Sequence, residues 1–276
     1  MSASRCGTYS QGYSESVVRN HAARTAKSEA AFLLPHLRKD SKILDCGCGP
    51  GSITCDFADI APQGFVVGTD LSSDVLAQAE ELAKSRNLTN VQFQPANILE
   101  GLNVVDEDFF DIVYCHQFLL HVPDPVKALQ EMRRVCKPGG IVACREGDID
   151  GCIFFPIPDG LHKFWDAFKS TLVSHGASLQ AGRRLQAWAR EAGFAPDEIT
   201  KSFGVNGYAT QEERDRFAGG FMDSLKEGDR RNNLLKQGNT EVDLDQMQEG
   251  WDQWRRDPDG WQFTPQGEVL CMKRPK

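Results

Sequence analysis

The segment Ile43-Leu44-Asp45-Cys46-Gly47-Cys48-Gly49-Pro50-Gly51 constrains this chain more than any other. A short apolar run, fit for a buried strand, leads into three glycines at alternate positions, and a helical pattern opens at Ser52. Glycine supplies positive φ and lacks the Cβ that would hold a ligand away from the backbone. A second apolar run, Phe65-Val66-Val67-Gly68-Thr69, then stops at Asp70. Strand, glycine turn, helix and a second strand tipped by a carboxylate form one half of a nucleotide-binding α/β sheet. A carboxylate at that tip can accept hydrogen bonds from both hydroxyls of a ribose. The pattern points to a cofactor that contains adenosine.

Spacing narrows the choice. A dinucleotide fingerprint reads G-x-G-x-x-G and sets a pyrophosphate on a helix N-terminus. Here the glycines fall at Gly47, Gly49 and Gly51, with Asp45 two positions before the first. A carboxylate there would repel pyrophosphate and suits a cofactor with a cationic amino group.

The alternation continues along the chain. Lys42 to Cys46 reads as the first strand, Ser52 to Ile60 as a helix, and Phe65 to Thr69 as the second strand. Ser72 or Ser73 caps a helix through Arg86, whose apolar positions recur at helical spacing. Val91 to Gln94, Asp111 to Cys115 and Ile141 to Cys144 read as further strands. Between the last two, Val126 to Cys136 reads as a helix stopped by Lys137-Pro138-Gly139-Gly140. Strands and helices alternating at this interval specify a parallel sheet covered on both faces. Before it, residues 14–37 read as one amphipathic helix, with His21, Arg24 and Ser28 on a polar stripe. With Tyr9 and Tyr13, that helix either closes over the cofactor or simply packs.

Beyond Cys144 the pattern changes. An aromatic stretch holds Phe154, Phe155, Trp165 and Phe168, and Gln180 to Ala192 reads as an amphipathic helix. Ile199 to Val205 reads as a sixth strand, 210–256 as helical, and Glu268 to Met272 as a last strand.

Several of these segments together resemble class I S-adenosylmethionine-dependent methyltransferases. They are Asp45-x-Gly47-x-Gly49-x-Gly51, Asp70, Asp111-Ile112-Val113, His121-Val122-Pro123-Asp124-Pro125 and Lys137-Pro138-Gly139-Gly140. The likeness is close over 38–146 and nearest the ubiquinone/menaquinone-biosynthesis-type small-molecule branch. It implies an α/β fold, a doubly wound seven-stranded mostly parallel sheet whose last strand is antiparallel and inserted between the fifth and sixth. It further implies a single domain, 1–276. Within it, 1–40 is a helical lid, 41–146 the cofactor-binding core, 147–177 and 206–260 insertions forming an α-helical cap, and 261–276 the last strand.

The resemblance also assigns roles. Asp45 anchors the cofactor's amino group, and Gly47, Cys48, Gly49 and Gly51 line its methionine end. Asp70 holds the ribose and Leu71 flanks the adenine. Asn97 and Ile98 stand at the adenine edge, where the family more often has an acid. His116 and Gln117 lie beneath the methyl donor, and Tyr13 comes from the lid. Neutral histidine suits deprotonation near neutral pH. His121, in the loop after the fourth strand, is the first candidate base, followed by His116 and His21. Glu146 and Asp148, just past the fifth strand, are expected near the same place.

Composition adds limits. A net charge of −8 and the lack of a basic stripe speak against a nucleic-acid partner, and arginine pairs such as Arg133-Arg134 read as solvated helix faces. No run approaches the ~20 apolar residues a membrane span needs. No apolar signal core follows Met1, so a cytoplasmic protein acting on a small-molecule acceptor is expected. Nine cysteines without a C-x-x-C pair read as free thiols packed as small hydrophobes. A thiolate trio for an arsenic-type substrate is the sharper alternative. No metal is implied.

The cap aromatics Phe154, Phe155 and Trp165 point to a hydrophobic or aromatic acceptor, while Trp251 and Trp254 read as buried in a helical hairpin. Two other functions share the fold: a protein that binds S-adenosylmethionine without methylating, and a nicotinamide-dependent oxidoreductase. Asp70 favours the second, and the glycine spacing opposes it.

Overall fold

The computed structural model describes residues 24–102 and 106–275. Tyr9, Tyr13, His21 and Cys6 lie outside them. The chain clusters into two compact units. Of the described residues, one comprises 24–147, 181–204 and 266–275, and the other 148–180 and 205–265.

In chain order the elements of the first unit begin with α1 (Ala26–Glu29), β1 (Lys42–Cys46), α2 (Ser52–Ile60), β2 (Phe65–Asp70), α3 (Ser73–Ser85) and β3 (Val91–Pro95). Then come β4 (Phe110–His116), α4 (Pro125–Val135) and β5 (Cys136–Gly147). Strands β1 to β5 are mutually parallel where they pair, in the order β3-β2-β1-β4-β5, and β8 (Trp261–Met272) lies antiparallel beside β5. The helix α6 (Ala181–Glu191) and the start of β7 (Ile199–Tyr208), which pairs with β8, complete this unit.

The other unit holds β6 (Ile153–Phe155), α5 (Asp159–Ser174), α7 (Gln211–Lys226), α8 (Asp229–Lys236) and α9 (Glu241–Arg256). Strand β6 corrects the expected count of seven to eight among the described residues. Its cause is the length of β8, which starts at Trp261 and not at Glu268. Its early residues Trp261–Phe263 therefore offer an edge to Phe155–Ile153. Trp251 and Trp254 are fully buried, as expected. Phe154 and Trp165 differ from expectation: they pack together with ring centroids 4.9 Å apart, and Phe154 also meets Phe217, Trp251 and Trp254. Both are buried in this unit's core.

Two further boundaries move. The helix read over 14–37 is not continuous in its described part. Thr25 caps the single turn α1, accepting a hydrogen bond from Ser28 N at 3.1 Å, and Pro35 sits in a second short turn, Leu34–His36. Strand β5 begins at Cys136 and absorbs Lys137 to Gly140, because Gly139 N and Gly140 O pair with Lys273 at 2.6 and 2.9 Å.

Burial explains why the rest is where it is. Ile43, Phe57, Tyr114 and Ala143 share one cluster with Ala26, Ala30 and Leu33. Burying each large apolar side chain is worth about 1.5–3 kcal/mol. Phe57 meets Tyr114 edge to face at 5.2 Å, and the Tyr114 hydroxyl donates to Glu29 O at 3.0 Å. The turn α1 is thereby fastened to β4. At the other end of the sheet Asp111 accepts from Lys42 N at 2.8 Å and pairs with Arg38 and Lys137, joining the starts of β1, β4 and β5. That is the physical basis of the Asp111-Ile112-Val113 signature. No helix among the described residues is long and apolar enough to cross a membrane.

Candidate active site

The carboxyl ends of β1, β2, β4 and β5 bring most of the expected residues together. Gly47, Gly49 and Gly51 have φ of 72°, 54° and 79°, all in the region that favours glycine. At Gly49 the space is open among the described residues: a Cβ built there meets none of their heavy atoms within 4 Å. Gly47 is different, because a Cβ there would fall 3.0 Å from Phe118 Cγ. The turn is open to a ligand at its middle glycine and closed by an aromatic ring at its first.

Asp70 governs the open part. Its Oδ2 accepts from Gly49 N and its Oδ1 from Ser72 N, both at 3.1 Å. The carboxylate is thus oriented by two backbone donors at the edge of the open space. Leu71 beside it is 49% exposed, enough side chain to offer an apolar face to a ring. Asp45 is buried, with Oδ2 receiving the Thr54 hydroxyl at 2.6 Å. Burial raises its pKa, Thr54 offsets part of that, and the Asp70 charge adds to it; the carboxyl rests near 7. A cation brought beside Asp45 would draw it back into the ionised form.

Asn97 and Ile98 follow β3. Ile98 is buried. Asn97 caps the short turn Ile98–Glu100, accepting from Leu99 N at 3.1 Å and donating to Glu100 at 2.8 Å. A hydrogen bond from Asn97 to a ligand has to compete with this cap.

The end of β4 holds a buried polar network. His116 Nε2 lies 3.2 Å from Glu29 Oε2. Arg145 pairs with the same Glu29 and, through Nε, with Glu268 at 3.1 Å, whose other oxygen receives the Ser202 hydroxyl at 2.7 Å. Burial alone would raise Glu29, but His116, then Arg145 and Arg24, bring it down to about 2. His116 falls to about 4 because burial and the two arginines outweigh Glu29. Gln117, at φ 47°, accepts from Arg24 at 2.9 Å and donates to Gln266 at 3.4 Å.

His121 ends the short turn Leu119–His121, and burial, aided by Arg24, pushes it down to about 3. Both described candidate bases are therefore neutral at physiological pH, and both are weak bases. Glu146, named only by position in the sequence, proves to be fully buried. Its Oε1 accepts from Phe118 N and Leu119 N at 2.9 and 2.8 Å, and its Oε2 from Leu120 N at 3.2 Å. Burial raises it to about 7 against the pull of those three amides. Asp148 caps the turn Ile149–Gly151 in the other unit. Among the described residues no group of three His, Cys, Asp or Glu can hold a metal ion. The described cysteines are free, and burial raises Cys46, Cys48 and Cys115 far above the usual thiol range, against a thiolate trio there.

This set fits a cofactor of the expected kind. Open space at Gly49 adjoins a carboxylate oriented by two amides, and Asp45 is a second, buried carboxylate that a cation would ionise.

Comparison with known proteins is consistent with this geometry. The family model described as "Methyltransferase domain" matches residues 37–192. A protein of Aspergillus luteorubrus described as a probable methyltransferase is 35% identical, covering 99% of both chains. A demethylmenaquinone methyltransferase of Staphylococcus carnosus is 30% identical over 67% of this chain and 74% of its own. Among solved structures, the YcgJ protein of Bacillus subtilis aligns with a TM-score of 0.58 at 18% identity, over 89% of this chain and 98% of that one. At that identity the likeness speaks for the fold.

Proposed function

The chain belongs to the methyltransferase domain family, and from that premise we propose that it moves a methyl group from S-adenosylmethionine to a small hydrophobic or aromatic acceptor, at oxygen, carbon or nitrogen. The cofactor supplies an electrophilic methyl on a sulfonium. The protein's part is to bind, align the acceptor and exclude water.

The observation that carries this reading is the space left open at Gly49 by the described residues, beside the oriented Asp70 carboxylate. In this reading Asp70 takes the ribose hydroxyls, and the backbone from Gly47 through Cys48 to Gly51 lines the methionine end. Asp45 balances the amino group's charge. Leu71 and Ile98 flank the adenine, with Asn97 at its edge. Gln117 and His116 underlie the methyl donor, and Tyr13 and His21 contribute from the N-terminal segment.

Two points support the acceptor class. The Staphylococcus relative is named for demethylmenaquinone. Burial at the end of β4 keeps His116 uncharged, which suits an apolar acceptor. With weak bases on hand, the acceptor is one that ionises readily, such as an acidic phenol, or has no proton to lose before attack. His121 then orients the acceptor with a neutral imidazole and removes no proton.

The test is product analysis with S-adenosylmethionine and a panel of phenols, quinols, amines and carboxylic acids. Formation of S-adenosylhomocysteine with a methylated phenol or quinol is expected. Turnover confined to charged, polar acceptors would overturn the acceptor class.

A further inference from the structure

Glu146 is a fully buried carboxylate on which three consecutive amides of the segment after β4 converge: Phe118, Leu119 and Leu120 at 2.9, 2.8 and 3.2 Å. A carboxylate oxygen can accept more than one hydrogen bond, so one side chain can hold three amides at once. Gln117, just before it, is held by Arg145 O, Arg24 and Gln266, whereas Phe118 N-caps the turn without a side-chain cap, so its amide and the next two are fixed by Glu146. The side chain that this clamp places is Phe118, whose ring occupies the space a Cβ on Gly47 would need. Gly47 N in turn donates to Thr69 O at 2.8 Å, next to Asp70.

We propose that Glu146 is a positioning residue for cofactor binding: it clamps the 118–120 backbone so that Phe118 closes the first glycine of the turn and leaves the middle one open. The proposal rests on the reading of the turn as the cofactor cradle. Glu146 acts through Phe118, so removing either should have the same consequence, and removing both should add little.

The experiment measures the Kd of S-adenosylhomocysteine by calorimetry for wild type, Glu146→Leu, Phe118→Ala and the double variant, with the ligand-free melting temperature of each. Each single variant is expected to bind roughly 10- to 100-fold more weakly, and the double variant no worse than the weaker single. Glu146→Gln keeps one carbonyl acceptor for the amides and should lose less than Glu146→Leu, a graded response that a melting-temperature change alone does not produce. Should Glu146→Leu fail to fold, the same cycle is run with Glu146→Gln. Folded Glu146 variants with wild-type Kd would overturn the proposal, as would effects of Glu146 and Phe118 that simply add. If wild type itself fails to bind S-adenosylhomocysteine, the cradle reading fails first, and the two failures are distinguishable.

Discussion

The Gly49 amide donates to Asp70 Oδ2 at 3.1 Å, so the carboxylate that ends the second strand also shapes the middle of the glycine turn. One side chain thereby orders the backbone on which a ligand would rest and presents its own acceptors to it.

Asp70→Ala removes that bond, the companion bond to Ser72 N and the ribose acceptor together. It should weaken S-adenosylhomocysteine binding by about 2–4 kcal/mol, or roughly 30-fold to nearly 1000-fold. Calorimetry gives the affinity and a thermal melt the stability, which should change far less. Unchanged affinity would remove Asp70 from the site.

Asp45 provides a pH signature. Its folded-state pKa, raised to about 7 by burial, lies above the ordinary carboxylate value. The stability tied to this group is therefore complete below about pH 4 and is lost as pH rises through 7. A bound ammonium favours the ionised form, so binding below pH 7 releases a proton and affinity rises from pH 6 to 8. Titrations in buffers of differing ionisation enthalpy measure that proton. Asp45→Asn should reduce it, leaving any share due to Glu146, which also sits near 7. Thr54→Val, which deletes the 2.6 Å bond to Asp45, should move the midpoint upward.

His121, near 3, is neutral throughout the working range. A general base contributes typically 10²–10⁴-fold, and His121→Asn should lose much less than that, with the pH–rate profile near neutrality unmoved. Loss of a neutral limb in the asparagine variant would restore His121 as the base.

Glu29 is a stability element. It faces Arg145 and His116 in a buried setting. Removing one partner of a buried pair costs roughly 3–5 kcal/mol. Glu29→Leu should fall near the lower end, because Arg145 retains Glu268. Glu29 lies below its ordinary pKa, so its contribution is present above about pH 4.5 and is lost as pH falls through about 2. Denaturant melts at pH 7 and pH 3 measure both effects.

Local patterns carried much of the fold. Strand β1 and helix α2 run between the residues read from hydropathy and glycine placement, and β2, α3, β3, β4 and α4 differ from that reading by one residue at either end. The misreadings arise where distant partners decide. β8 is long because β6 pairs with it, β5 starts early because Lys273 lies alongside, and α1 is short although its apolar period continues. At the site, the glycines, Asp45 and Asp70 were legible because backbone needs dictate them. The weak basicity of His116 and His121 was not, since it depends on burial and on Arg24, which is remote in sequence. Glu146 was visible only as an acid after β5. Its three amide partners lie 26 to 28 residues earlier in the chain, and no local signal links them.

We propose that the turn around Gly49 is the cradle for S-adenosylmethionine. The most direct measurement compares the melting temperatures of wild type and Gly49→Val with no ligand, with saturating S-adenosylhomocysteine and with NAD. A ligand that binds only the folded state raises the melting temperature by mass action. The account predicts a rise of several degrees (~3 kcal/mol at a hundredfold excess over Kd) for wild type with S-adenosylhomocysteine. It predicts none with NAD, and none with either ligand for a folded Gly49→Val. An equal rise in wild type and Gly49→Val, or a response to NAD in place of S-adenosylhomocysteine, would contradict it.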